Sequence, residues 1–237
     1  MVVTMFLAHL VGDYVLQWDN LARWKSRELK GVLAHGLMVG GVTWLFSLPF
    51  DPGWWPWVLA VWLTHTAVDA VPLVLGRRVS LNGTGMAALV RFLIDQAVHI
   101  AVILMALVWS GYLAVPSLAI DLLAALRDNR WLAITLGYAF ITLPAWILIE
   151  FLVYGLVNGS APDFSQATNK YVSSLERGLI TTFVVTGQFA LVPVVTLPRL
   201  VFEGRRVMGS RPATLYVAEL LASVALAVAI GLALRYL

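Results

Sequence analysis

The sequence predicts an all-α fold, a polytopic transmembrane helical bundle of seven or eight spans, with eight favoured. Composition is the first observation, because 60% of the 237 residues are hydrophobic and 12% are charged, whereas a soluble domain carries roughly 25% charged residues. Length is the second, because several apolar runs reach the ~20 residues that a helix needs to cross a bilayer. The third is that the alternation typical of membrane β-strands is missing from the sequence.

Four spans are predicted in the first half of the chain. They are separated by a basic loop, by a turn-rich break of sequence PFDPG and by a loop with two arginines. The spans cover 2–17, 31–48, a segment that ends near 75, and 86–109. The third span is preceded by tryptophans that are typical of an interfacial aromatic belt, namely Trp54, Trp55 and Trp57.

The second half of the chain is predicted to hold three or four spans. Residues 131–157 are long enough to cross with tilt, and Pro144 predicts a kink there. Residues 179–200 and 213–237 are predicted as the last two spans. Residues 111–126 are apolar but short, so a short span, a re-entrant segment and an interfacial helix all stay open.

Basic residues orient the spans, since cytoplasmic loops carry an excess of Lys and Arg. In the first half, 1–110, this rule puts the basic loops inside and the N-terminus outside. In the second half, 111–237, the arginines face the cytoplasm only if 111–126 crosses, which favours eight spans within a single membrane domain. The basic residues counted are Arg23, Lys25, Arg27, Lys30, Arg77, Arg78, Arg199, Arg205, Arg206 and Arg211.

Composition also excludes several kinds of site. The chain has no cysteine, which excludes disulfides, thiolate nucleophiles, iron–sulfur clusters and Cys-based zinc sites. A formal charge of +3 and a pI near 9.4 fit basic membrane-facing loops, and no basic stretch is long enough to predict nucleic-acid binding. Neither a nucleophile elbow nor a glycine-rich phosphate loop is present in the sequence.

Histidine is distributed in a regular way, with one residue in each of the first four predicted spans. Three of the four have an aspartate four positions away, and one helical turn puts both members of such a pair on one face. The pairs are His9–Asp13, His65–Asp69 and Asp95–His99, and the fourth histidine is His35. At ~1.5 Å per residue, these side chains fall at overlapping depths in the cytoplasmic half of the membrane.

This pattern predicts a divalent-metal site inside the bundle, because ionisable groups within a bilayer are costly and usually paired. The mixed nitrogen and oxygen ligands favour zinc, manganese or iron(II). His35 is predicted as a further ligand or a general base, and Arg91 as a contact for phosphate. The six predicted metal ligands are His9, Asp13, His65, Asp69, Asp95 and His99.

The leading functional hypothesis is a membrane-embedded, metal-dependent hydrolase-like protein acting on a lipid or lipid-linked phosphate from the cytoplasmic leaflet. A cation or proton transporter or channel using the same residues is one alternative. A non-catalytic subunit of a membrane complex is another, and a purely structural His–Asp network would serve it. Membrane lipid is the expected partner in the first case.

Other polar residues are weaker candidates. Glu150 and Gln188 lie within apolar segments and are candidates to reach the same cavity, with an ion pair to an arginine near a membrane face as the alternative for Glu150. Glu176 and Arg177 suit a solvated or capping pair at the start of a span. Further polar neighbours on the histidine-bearing helices are Gln17 and Gln96.

Four segments carry a resemblance to a known family. They are AHLVGDYVLQ at 8–17, LAHG at 33–36, HTAVD at 65–69 and FLIDQAVH at 92–99. Together they resemble a bacterial integral membrane family, domain of unknown function 3307, and this resemblance implies a multi-pass protein of the bacterial plasma (inner) membrane. A looser similarity is to membrane-bound metal-dependent hydrolases, which also place His and Asp about four residues apart on apolar helices.

Overall fold

The computed structural model describes residues 1–75, 84–164, 170–207 and 212–237, and over these residues the chain is helical with no strand. The α-helices, in chain order from α1 to α11, are Val2–Leu10, Asp19–Lys25, Leu29–Ser47, Trp55–Leu75, Gly85–Trp109, Leu118–Asp128, Arg130–Ile141, Leu143–Val153, Lys170–Val185, Val192–Val207 and Pro212–Tyr236. The prediction of an all-α fold is therefore confirmed over the described residues. Some of the basic residues used for orientation lie outside the described side chains, namely Arg77, Arg78, Arg205, Arg206 and Arg211.

Within the described part of the chain, four helical segments are long and apolar enough to cross a membrane. They are Leu29–Ser47, Pro52–Val74, Gly85–Trp109 and Ala213–Tyr236. The bent pair α7 and α8 makes a fifth if it is counted as one span. These segments are compatible with a multi-pass membrane protein, and their number is smaller than the seven or eight spans predicted.

Two of the predicted spans are too short for a full crossing. Helix α1 continues as a π-helical turn, Val11–Val15, and the combined segment of 14 residues is only about 21 Å long, against a hydrocarbon core of about 30 Å. Helix α6 has 11 residues, and Asp121 in its first turn accepts hydrogen bonds from Ser117 Oγ and Ala114 N. The crossing at 111–126 that favoured eight spans is therefore not among the candidate spans.

The predicted span 179–200 is also wrong, because it is two helices. Helix α9 ends at Val185, and Gly187 adopts a φ of +79° before α10 begins at Val192. A left-handed residue cannot continue a right-handed helix, and glycine adopts this conformation at little cost. Each of the two helices has 16 residues, which is less than a span requires.

The kink predicted from Pro144 is confirmed. Helices α7 and α8 meet at an angle of 45° around Thr142. Pro144 lies in the first turn of α8, where a missing N–H costs no intrahelical hydrogen bond. The chain therefore bends just before the proline instead of at it.

The described residues form two compact units. The first is drawn from 1–82 and 93–136, and the second from 83–92 and 137–237. The predicted boundary near residue 110 stays a prediction. In the second unit α9 packs on α11 through Ile180, Val184 and Ala227.

The hydrophobic core of the first unit joins α1, α4 and α5 through residues such as Met5, Val61 and Leu107. Trp54 is part of this core and is only 2% exposed, so its assignment to an aromatic belt is wrong. Trp55 is exposed as expected.

The turn between α3 and α4 is tied to the chain that follows α5. Asp51 accepts hydrogen bonds from Gly53 N and from the Tyr112 hydroxyl. Partial burial and the hydrogen bond to this carboxylate raise the pKa of the Tyr112 phenol. The Asp51–Tyr112 contact holds one end of α3, α4 and α5, the three helices that supply most of the candidate site.

Helix α3 approaches α4 and the π-helical turn after α1 closely because a glycine stands at each contact, Gly36 on α3 and Gly12 in the turn. A Cβ at Gly36 would overlap Thr66 Oγ1 and lie 3.1 Å from Thr66 Cβ, and a Cβ at Gly12 would lie 3.1 Å from Val39 Cγ2. A Cβ at Gly41, on the same helix, would meet nothing within 4 Å. Close backbone approach of this kind is how helices pack in a membrane.

We expect Gly36→Ala to lower the apparent thermal midpoint of the detergent-purified protein. The new methyl group overpacks the contact with Thr66, which costs about 1–3 kcal/mol. Gly41→Ala is the matched control, and it should leave the midpoint unchanged or raise it, because alanine favours a helix interior by about 0.5–1 kcal/mol over glycine. Equal midpoints for the two variants would contradict the packing described for α3 and α4.

Candidate metal centre

All seven His and Asp residues singled out in the sequence belong to the first compact unit, where they form one cluster. Six of the seven side chains are buried, and the Asp95 side chain at the edge is 39% exposed. The cluster consists of His9, Asp13, His35, His65, Asp69, Asp95 and His99. Buried His and Asp groups at metal-binding distances are therefore present, as the sequence predicted.

Asp13 reaches the cluster because the end of the first predicted span is not a regular α-helix. Leu16 N donates to Val11 O at 2.9 Å, which closes a π-helical turn. Gly12 within this turn lets the backbone approach α3 at Val39. Single π turns occur frequently at functional sites, and this one turns the Asp13 carboxylate toward His35.

Four ligand atoms from three helical segments meet at the centre of the cluster, since His65 and Asp69 both lie on α4. Asp13 Oδ1 lies 2.8 Å from His35 Nε2 and 3.4 Å from His65 Nε2. Asp69 Oδ2 lies 3.5 Å from His35 Nε2 and 3.3 Å from His65 Nε2. The two imidazole nitrogens are 3.3 Å apart. We call these four residues, His35, His65, Asp13 and Asp69, the inner set.

These separations are those of ligand atoms around one ion. In a tetrahedral zinc site with bonds of about 2.0–2.1 Å, neighbouring ligand atoms are about 3.3–3.4 Å apart. Four of the five measured separations lie within about 0.2 Å of that range. The fifth, between Asp13 and His35, is a hydrogen-bond distance of 2.8 Å. The residues present therefore fit a divalent ion.

The remaining histidines flank the inner set. His9 Nδ1 lies 3.7 Å from Asp13 Oδ2, and His99 Nε2 lies 3.8 Å from Asp69 Oδ1. The His9 and His99 rings stack with centroids 5.7 Å apart. Asp95 Oδ2 lies 3.6 Å from His99 Nδ1. The i,i+4 pairs predicted from the sequence are thus all in contact, but the shortest contacts run between helices.

Lys25 is a member of the cluster that sequence reasoning missed. It was assigned to a cytoplasmic loop, whereas the short helix α2 brings its Nζ to 2.9 Å from Asp69 Oδ2 and 3.3 Å from Gln17 Oε1. Gln17 was predicted only as an extension of the first polar stripe. No spacing rule links residue 25 to residue 69, so the sequence held no direct signal for this ion pair.

The charges of the cluster favour a cation. With neutral imidazoles, three carboxylates and one ammonium leave two negative charges in largely buried surroundings. Burying unpaired charge is costly, and one divalent ion would balance it.

A small cavity adjoins the cluster. It is lined by His9, His65 and His99 together with apolar side chains of α1, α3, α4 and α5. The space open to the centre of a water molecule is ≈ 10 Å³, which is enough for about one water. The histidines therefore face a site that admits a water or an ion but no larger group.

The other predicted candidates have separate surroundings. Gln96 Nε2 donates to Asp95 Oδ2 at 3.1 Å, at the edge of the cluster. Arg91 lies one turn before Asp95 on α5, in the segment that belongs to the second unit, and its side chain is exposed. Glu150 accepts a hydrogen bond from Trp146 in the second unit. Gln188 precedes a 3-10 turn there, and functional roles for these residues stay predictions.

Glu176 and Arg177 are not a solvated pair, because both side chains are buried. Arg177 donates to the carbonyl oxygens of Ile141 at 2.6 Å and Thr142 at 2.8 Å. Both carbonyls stand at the break between α7 and α8, and the Thr142 carbonyl also accepts from Trp146 N at 3.2 Å. Arg177 therefore caps α7 across the bundle, and Glu176 forms an ion pair with Arg199 at 2.9 Å.

A comparison with protein families identifies a family that matches the chain. The family described as "Protein of unknown function (DUF3307)" matches residues 1–124, which is more than half of the chain and includes the whole cluster. The chain belongs to the DUF3307 family. The resemblance inferred from the four sequence segments is thus confirmed.

No curated protein and no solved structure matches the chain significantly. The looser similarity to membrane-bound metal-dependent hydrolases therefore has no support from the comparisons. What this DUF3307 protein does has to be inferred from its cluster.

We expect Lys25→Gln to lower the apparent thermal midpoint in the presence of a chelator, because Asp69 then loses its cationic partner. The cost should be about 1–3 kcal/mol, below the roughly 3–5 kcal/mol of a fully buried pair, since Lys25 is partly exposed. Arg23→Gln on the same short helix is the control, because the Arg23 side chain donates to the exposed Asn20 and not to a buried carboxylate. A midpoint as high as that of the control would show that the Lys25–Asp69 pair does not support the fold.

Proposed function

We propose that this DUF3307 protein is a membrane-embedded, metal-dependent hydrolase-like protein that acts on a lipid or lipid-linked phosphate from the cytoplasmic leaflet. The arrangement of the four ligand atoms of the inner set carries this proposal. They come from three helical segments, and their separations suit one divalent ion better than they suit four independent hydrogen bonds.

The donors favour particular ions. Two imidazole nitrogens and two carboxylate oxygens suit zinc, manganese or iron(II), whereas calcium and magnesium prefer oxygen ligands in larger numbers. Of the two roles predicted for His35, metal ligand is the one that its position supports, because its Nε2 belongs to the inner set and its side chain is 0% exposed.

Two features near the inner set support a lipid phosphate as the substrate. Lys25 provides an ammonium at the less buried side of the cluster, where it can pair with a phosphate oxygen. A groove of ≈ 570 Å³ is lined by residues of α3 and of α2, the helix that carries Lys25, and includes Trp18, Trp24 and Met38. A groove of this size and polarity suits a hydrocarbon chain.

The reaction proposed is hydrolysis of a phosphate monoester. Water adds to phosphorus and the bond between phosphorus and the lipid oxygen breaks, so that R–O–PO₃²⁻ and H₂O give R–OH and HPO₄²⁻, with one proton of the water ending on the lipid alcohol. A bound divalent ion would polarise the phosphoryl oxygen and acidify water. Asp95 is the half-exposed member of the cluster, and we assign it the transfer of protons between the cluster and solvent.

Transport of a cation or proton is the second candidate, and one observation favours it. The contacts from His9 through Asp13, His35, His65 and Asp69 to His99 form a continuous chain with no separation above 3.8 Å. Chains of His and Asp inside membrane bundles are typical of proton relays.

We expect the purified protein to contain at least one equivalent of zinc, manganese or iron, and His65→Ala to reduce the content at least tenfold. His65 Nε2 lies within 3.4 Å of both aspartates of the inner set. Loss of one ligand from a four-ligand site removes much of the metal-binding energy. Elemental analysis of detergent-purified protein measures this.

Asp128→Asn provides the control, because Asp128 is an exposed acid at the end of α6. It should keep the metal. Wild-type protein that is correctly folded but metal-free after growth in metal-supplemented medium would overturn the proposal.

Hydrolysis and transport are distinguishable in proteoliposomes that contain a phosphatidate or a polyprenyl phosphate. We expect release of inorganic phosphate by the wild type, a loss of at least 100-fold in His65→Ala, and a smaller loss of about 10-fold in Lys25→Gln because a phosphate contact is removed. A metal- or pH-sensitive dye inside the same vesicles should report no flux. Flux without phosphate release would favour the transport function instead.

A further inference from the structure

Each of the two buried carboxylates in the inner set has one oxygen near His35 and His65 and its other oxygen near a flanking histidine. Asp13 turns Oδ1 to His35 and His65, and Oδ2 to His9. Asp69 turns Oδ2 to the same two histidines, and Oδ1 to His99. Both aspartates therefore have an oxygen left over for a second position, on the side of His9 and His99.

The tautomer of His99 leaves a nitrogen free for that position. His99 Nδ1 lies 2.8 Å from the carbonyl oxygen of Asp95, and since a carbonyl oxygen can only accept, Nδ1 carries the proton. The neutral ring then presents an unprotonated Nε2, and a hydrogen bond from the other ring nitrogen is how proteins orient a metal-binding imidazole.

Unsatisfied atoms point to a ligand at this second position. Among the described residues, neither His9 Nε2 nor His99 Nε2 has a hydrogen-bond partner, and the two residues are only 6% and 2% exposed. Both histidines also line the cavity that has room for one water or ion. Buried polar groups are normally satisfied, so two unsatisfied nitrogens beside one small cavity indicate an absent partner.

We propose that the cluster is a two-metal centre in which Asp13 and Asp69 bridge the ions. The inner ion is held by His35 and His65, and the outer ion by His9 and His99, with Asp95 orienting His99. Carboxylate-bridged ions in such centres are about 3.5–4 Å apart. This inference rests on the proposed function, since it extends the same metal site.

A second ion also bears on the substrate. One divalent ion neutralises the cluster, whereas two leave it with two positive charges when the imidazoles are neutral, counting Lys25 and the three carboxylates. A phosphate monoester dianion carries the complementary charge, and two ions can hold both the attacking and the leaving oxygen of a phosphoryl transfer. The substrate class favoured is therefore a terminal phosphate monoester instead of a phosphodiester, which carries one negative charge.

The test uses the full-length, detergent-purified protein stripped of metal and titrated with Mn²⁺. Binding should saturate at two ions per chain, and the electron paramagnetic resonance spectrum should change from the six-line signal of isolated Mn²⁺ to the multiline signal of an exchange-coupled pair. The double variant with His9→Gln and His99→Gln should bind one ion and keep the six-line signal. Asp13→Asn, which removes a bridge, should abolish the coupled signal.

The wild-type measurement decides the inference even if a variant fails to fold. Saturation at one ion, with only the six-line signal, would overturn the two-metal centre and leave the proposed one-metal function standing. Absence of bound Mn²⁺, and of zinc or iron in the protein as isolated, would overturn both. Two ions without exchange coupling would place the second ion away from the carboxylates and also overturn the bridged centre.

Discussion

The meeting of two aspartates and two histidines inside a bundle of apolar helices is the interaction on which the rest of the first unit depends. Removing a carboxylate from water costs several kcal/mol unless it is paired and hydrogen-bonded, and Asp13 and Asp69 are both at least 92% buried. Each helical segment that supplies one of the four residues is therefore held to the others by more than hydrophobic contact. In a lipid surrounding, where apolar side chains gain little by choosing protein over lipid, such polar contacts fix which helices are neighbours.

The shape of the first segment follows from this requirement. A regular α-helix from Val2 onward would carry Asp13 past α3 at a different angle, and the π turn at Val11–Val15 re-aims it. The turn is possible because Gly12 fits against Val39, where a side chain would be crowded. The segment is too short to cross a membrane alone, so its role is better understood as positioning His9 and Asp13 than as spanning.

Much of the site was predictable, because helical periodicity is a strong local rule. The three pairs four residues apart and the lone His35 are all in the cluster, as the overlapping depths predicted. Periodicity does not predict contacts between helices. It therefore could not predict the 2.8 Å contact of Asp13 with His35 or the ion pair of Lys25 with Asp69. The span count failed for a related reason, because hydropathy reports apolar composition and not where a helix begins or ends. It does not reveal the left-handed Gly187 that separates α9 from α10, or the Asp121 contact that marks the start of α6.

The two compact units show how a structural polar network differs from a site. Arg177 is only 1% exposed, yet its guanidinium donates to two carbonyl oxygens at the break between α7 and α8 and to two serine hydroxyls, so its donors are matched by acceptors. The His–Asp cluster, in contrast, has more hydrogen-bond acceptors than donors. Six carboxylate oxygens and up to four imidazole lone pairs face one ammonium and at most four ring N–H groups, and one of those N–H groups is already bound to the Asp95 carbonyl.

An excess of acceptors can be balanced by added protons or by metal ions. The geometry of the inner set distinguishes these two possibilities. His35 Nε2 and His65 Nε2 face each other at 3.3 Å, each also within 3.5 Å of both aspartates. One proton can serve only two or three of these atoms at a time, because a hydrogen bond is directional and joins one donor to one or two acceptors. A cation at the centre serves all four at once, and this is why the convergence of the atoms, more than their number, favours a metal.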